Sequence, residues 1–224
     1  MAAKETALIV GVGSGLSASL ARLFAKEGME VALAARNTDK LAELAAATRA
    51  ATYACDVVDP VSVATLFADL DRDMGTPDLV VFNPSYRTRG PISELDVEEV
   101  KKTLLVSCYG AFLVGQQAAR RMEEMGGGTI LFTGASAGVK GYPNSAPFAM
   151  GKFGLRGLAQ SMARELQPKN IHIGHFVIDG GIGRDDGDTK LDPDAIAQTY
   201  LDVHRQHRSA WTWEVELRPW VETF

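Results

Sequence analysis

A continuous apolar run, Thr6–Val10, leads straight into Gly11-Val12-Gly13-Ser14-Gly15-Leu16, after which Leu16, Leu20, Leu23 and Phe24 recur at helical spacing. Nothing else in the chain restricts the fold as strongly. An unbroken apolar run of this length suits a strand buried on both faces. The glycines permit a tight turn and let another backbone or a ligand approach closely. The helix that follows turns free N–H groups and the positive end of its dipole toward the loop. Strand, glycine turn and helix in that order mark the first unit of a parallel sheet that receives a dinucleotide pyrophosphate. Taken alone, the same glycines are only a tight strand-to-helix turn.

The remaining pattern repeats the alternation. Strands are expected at Val31–Ala35, Thr52–Cys55, Leu79–Phe82, Thr129–Phe132, Ile171–Ile178 and Ala210–Leu217. Helices are expected at Thr38–Thr48, from Asp59-Pro60 to Met74, across Val97–Met125, at Ala146–Leu166 and from Pro193 to His204. Regular β/α alternation requires right-handed crossovers, hence a doubly wound parallel sheet of the Rossmann type with helices on both faces. No composition shift divides the 224 residues, so residues 1–224 are expected to form a single domain. Gly180–Asp188 reads as a surface loop.

Composition excludes several functions. Apolar residues make up 46% and charged residues 23%, an ordinary globular balance. The net charge of −5 is spread with signs interleaved, which argues against a nucleic-acid or membrane-surface partner. No apolar stretch approaches the roughly 20 residues that span a bilayer. Cys55 and Cys108 supply no metal-ligand spacing and no disulfide framework, so no metal is expected and a cytoplasmic location is.

The second strand ends at Ala35-Arg36-Asn37. An acid there would accept hydrogen bonds from the ribose of NAD and repel a 2′-phosphate. An arginine favours NADP(H) over NAD(H) as the cofactor.

Together these residues resemble the short-chain dehydrogenase/reductase family over almost the whole chain. Gly11, Gly13, Ser14, Gly15 and Leu16 are similar to its glycine motif, with serine in place of the last glycine. By the same resemblance, Asp56 and Val57 meet the adenine, Asn83 follows the fourth strand, Lys152 holds the nicotinamide ribose hydroxyls, and Gly180 and Ile182 lie near the carboxamide. Such proteins use a serine, a tyrosine, a lysine and an asparagine. The tyrosine transfers the proton, with the lysine four residues later on the same helix face.

Here the resemblance breaks. The tyrosine position is Phe148, the serine position is Ala135 and the asparagine position is Ser107. Phenylalanine has no proton to give, and a positioned acid or base typically contributes ~10²–10⁴-fold. Ser136, Tyr142, Tyr109, Tyr86, Arg87 and Arg89 are nearby groups that could stand in, although each also reads as surface or packing. His172 and His175 read as satisfied packing residues on opposite strand faces, and Trp211, Trp213 and Trp220 as core or subunit contacts. Glu214 and Glu216 read as the wet face of the last strand. The loop from Gly183 to Asp192 is short for the family's substrate lid, so an open site is expected.

Two readings follow. One is an atypical NADP-dependent oxidoreductase that transfers hydride to a small organic substrate despite a degenerate catalytic set. The alternative is a non-enzymatic NADP-binding sensor or assembly subunit. By resemblance, the chain pairs into a homodimer or homotetramer through the helices around Val97–Met125 and Ala146–Leu166, or also through the last helix and strand, Pro193–Leu217.

Overall fold

The computed structural model describes residues 4–223. Seven parallel strands form one sheet in the order β3-β2-β1-β4-β5-β6-β7. They are β1 (Thr6–Val10), β2 (Glu30–Ala35), β3 (Ala51–Ala54), β4 (Leu79–Phe82), β5 (Gly128–Thr133), β6 (Ile171–Ile178) and β7 (Glu214–Leu217). The order reverses direction between β1 and β4, which opens a crevice at the carboxyl ends of those strands.

Alternate residues of the buried strands serve two cores. Leu8 and Val10 face a core built with α3 (Pro60–Asp73), α5 (Gly110–Met125) and α6 (Ala146–Leu166). Ala7 and Ile9 face the other, where Leu20 and Phe24 of α1 (Leu16–Lys26) meet Ile196 and Tyr200 of α7 (Pro193–His204). The apolar runs are therefore continuous because both sheet faces are covered.

Most boundaries match the expectations, and the caps show why. Asp59 accepts from the Val61 amide with Pro60 in the first turn of α3, and Asp192 accepts from the Asp194 amide with Pro193 at the start of α7. Three segments differ. The expected helix at Thr38–Thr48 begins as a 3₁₀ turn, Asp39–Leu41, before α2 (Ala42–Thr48). The expected strand at Ala210–Leu217 begins only at Glu214, because Arg208–Ala210 is a 3₁₀ turn. The stretch expected as one helix is α4 (Val97–Leu104), a π-helical turn Leu105–Tyr109, and α5. That wide turn sits where Gly151 of α6 packs on Ser107, a Cβ at Gly151 falling only 3.0 Å from the Ser107 Cβ. Among the described residues, no helix is long and apolar enough to cross a membrane.

Candidate active site

Strand register delivers the candidate residues to one edge. Val10 pairs with Ala34 and with Phe82, Ala35 with Ala54, and Phe82 with Phe132. The residues that follow, Gly11, Arg36, Cys55-Asp56, Asn83 and Thr133-Gly134, therefore emerge side by side. Two connected clefts run along that edge. The outer one, of about 940 Å³, is lined among others by Gly11, Gly13, Ser14, Arg22, Arg36, Lys40, Asp56, Val57 and Asn83. The inner one, of about 470 Å³, is lined among others by Gly15, Leu16, Arg87, Ala135, Ser136, Tyr142, Phe148, Lys152, Gly180 and Ile182.

The glycine loop has the shape its chemistry requires. Gly11 has φ +82°, and a Cβ on it would lie 2.6 Å from the Pro84 nitrogen. Gly13 and Gly15 have no protein atom within 4 Å of a built Cβ, which leaves open space over the loop. Gly15 caps α1 without any side-chain bond, and no acid lies in the first turn. Its first amides face the clefts without a competing carboxylate, so the loop suits an anionic pyrophosphate. Asn83 pins the loop: its Nδ2 donates to Ser17 Oγ at 2.7 Å, and that hydroxyl donates to the Gly11 carbonyl at 3.1 Å.

At the inner end Lys152 is 2% exposed and donates to the Thr133 carbonyl at 2.8 Å. Burial pulls its pKa down to about 8. Phe148 lies one helical turn earlier, its ring centroid 5.7 Å from Lys152 Nζ. Arg87 lies over the same ring, with Cζ 4.6 Å from the centroid. Thr133 also shares a hydrogen bond with the Tyr200 hydroxyl at 2.8 Å. Tyr200 is fully buried in the core beside α1, stacked on Phe176, and burial raises its pKa far above the usual phenol range. It meets the site only from beneath.

Several expected residues lie elsewhere. Ser107, given the asparagine's place, is fully buried in the π-helical turn, donates to the Tyr86 carbonyl at 3.5 Å and lines neither cleft. Tyr109 is exposed and stacks on Phe112 away from the clefts. Tyr86 donates to Glu99. Of the alternatives, Ser136, Tyr142 and Arg87 reach the inner cleft.

Behind the floor lies a group that sequence reading missed. Glu214 is not on a wet face. It accepts two 2.7 Å hydrogen bonds from Arg156 and one at 3.0 Å from His175 Nδ1. His175 is fully buried with Nε2 unpartnered, so it is not a satisfied packing residue. A Cβ on Gly134 would fall 2.4 Å from that nitrogen, so only glycine fits there. The spacing of Lys152 and Arg156, one turn apart on α6, was the available signal. His172 stacks on Trp211 at 4.6 Å and meets the Thr212 carbonyl through Nε2, while its Nδ1 is likewise buried without a partner.

A switch-point crevice, an open glycine loop and a buried lysine define a dinucleotide-binding α/β protein of the oxidoreductase type. The chain matches the short chain dehydrogenase family over residues 5–182 and belongs to it. Trans-4-hydroxycyclohexanecarboxylate dehydrogenase of Sinomonas cyclohexanicum is 31% identical over 220 residues, covering 90% of this chain and 84% of that protein. A short-chain dehydrogenase structure from Rhodopseudomonas palustris is 35% identical with a TM-score of 0.87, covering 96% of this chain and 99% of that one. A metagenomic short-chain oxidoreductase in complex with NADP has the same fold, with 24% identity, a TM-score of 0.86 and 96% and 97% coverage.

Proposed function

We propose that the protein is an NADP(H)-dependent oxidoreductase for small alcohol or carbonyl substrates that works without the tyrosine and serine its family normally uses. One observation carries the reading: a buried lysine stands at the inner end of a cleft continuous with an open glycine loop, and polar side chains, not only Phe148 and Ala135, line that cleft.

The cofactor, when bound, supplies or accepts a hydride. The chain's own residues do the rest. Gly11–Leu16 and the first turn of α1 hold the pyrophosphate. Arg36, Lys40 and Arg22 line the outer cleft, where a 2′-phosphate gains charge-assisted hydrogen bonds. Asp56 and Val57 border the adenine side, and Asn83 fixes the loop. Lys152 binds the nicotinamide ribose, and Gly180 and Ile182 line the same cleft. Phe148 and Ala135 leave the reacting oxygen with no donor of their own. Tyr142 is the phenol that lines the inner cleft, and Ser136 offers a hydroxyl in the same cleft, so Tyr142 is assigned the proton and Ser136 the supporting hydrogen bond.

Titration of the purified protein with NADPH and NADH, followed by turnover against ketones, imines and enones, tests this. Arg36→Asp should weaken NADPH by about 10-fold or more and NADH much less. Equal weakening of both would remove the NADP assignment.

A further inference from the structure

The inner cleft has a charge pattern that cofactor binding leaves unexplained. Arg87 and Lys152 both line it, and no carboxylate does. Lys152 is spoken for by the Thr133 carbonyl and, on the reading above, the ribose. Arg87 is not. Among the described residues its guanidinium makes no hydrogen bond and no ion pair, and it rests on the face of the Phe148 ring. Desolvation, and after it the like charge of Arg89, lowers its pKa. Arg87 is an exposed residue that lines the cleft without an acid beside it, so its guanidinium is available to an anion that enters there.

Its setting is that of a receptor for an anion. A guanidinium resting on an aromatic face keeps its donor edges free, and those edges match a carboxylate in a bidentate fork. Phe148 does two things at once: where a phenol would present a hydroxyl to the substrate, a flat apolar ring instead orients the arginine. Arg87 is absent from the outer cleft, where Arg22, Arg36 and Lys40 gather, so it is not one more phosphate ligand at that end. Ser136 and Tyr142 share its cleft, which sets a reacting oxygen and a distant anionic group within one small space.

We infer that the substrate is a small hydroxy or keto acid whose carboxylate is held by Arg87 over the Phe148 ring. This rests on the oxidoreductase reading for the reaction, but not for the binding. Such an anchor also compensates for the missing catalytic groups, because binding energy from a remote group positions the reacting centre.

The test pairs 4-oxocyclohexanecarboxylate with its methyl ester, in the wild-type protein and in Arg87→Gln and Arg87→Lys. The ratio of kcat/KM for acid to ester should fall about 10–100-fold in Arg87→Gln and less in Arg87→Lys, which keeps charge but loses the fork. Calorimetric titration of the NADP-loaded protein with cyclohexanecarboxylate should show the same order of weakening. An unchanged acid-to-ester ratio overturns the inference. So does a loss of NADPH affinity in Arg87→Gln with no change in that ratio, which would give Arg87 to the cofactor. If neither ketone turns over, the oxidoreductase reading fails and the titration alone decides: weakened carboxylate binding in Arg87→Gln upholds the anchor, and no binding to wild type removes it.

Discussion

At Phe148 a benzene ring stands one helical turn from a buried lysine, and the consequences are measurable. Restoring both missing groups, Ala135→Ser with Phe148→Tyr, should raise reduction of simple ketones by on the order of 10²-fold or more, since a proton donor and an oxyanion donor both return. In the wild-type background Tyr142→Phe should remove most of the residual rate. Steady-state kinetics on cyclohexanone checks both, and a Tyr142→Phe rate equal to wild type would take the proton away from that phenol. Lys152 carries a pH signature. Its folded pKa is about 8, pulled down by burial, against the usual 10.5. Between those values the unfolded chain holds a proton the folded chain has released, so stability rises with pH across that window and this contribution is flat below it. Chemical denaturation from pH 7 to 10.5 should show the wild-type protein gaining on Lys152→Met. No relative gain would mean that the ammonium is not desolvated. Phe148 and Lys152 were legible at this scale because helix spacing alone fixes their face, and Ala135 because it follows the end of β5. Ser107 was not: it is buried in the π-helical turn, and its hydroxyl goes to the Tyr86 carbonyl.

Elements were readable where their ends carry local chemistry. The Asp-Pro caps at Asp59 and Asp192 signal helix starts within a few residues of sequence. The edge strand β7 was expected, but its start was not placed, because that comes from partners far away in the chain. Glu214 is held by Arg156 of α6 and by His175 of β6, contacts spanning 58 and 39 residues. Burial by itself would raise the Glu214 pKa, but Arg156 and His175 outweigh it and hold the carboxyl below the usual range. Its contribution is therefore present at neutral pH and is lost as pH falls through that lowered value. Glu214→Leu leaves Arg156 and His175 without their partner and should cost roughly 1–3 kcal/mol at pH 7 by urea denaturation. The difference from wild type should shrink on acidification. A constant difference across pH would assign the loss to packing.

For the molecule as a whole, pairing through α5 and α6 is the prediction. Tyr109, Phe112, Met150 and Phe153, at the start of α5 and on α6, are each 40–52% exposed. Pairing through these helices would cover them. Light scattering at micromolar concentration should give a homodimer or homotetramer, and a monomer would exclude it. The sequence by itself determined the alternation of strands and helices, the glycine turn and the identity of residues one helical turn apart. Those follow from steric and periodic rules that act over a few residues. Tertiary structure alone decided which side chains share a cleft. Parallel register aligns Gly11, Arg36, Asn83 and Gly134 at one edge, the packing of Gly151 against Ser107 accompanies the π-helical turn, and the fold sets Arg87 on Phe148 across 61 residues. Contacts at that separation are selected by how whole elements pack, and local propensity carries no record of them.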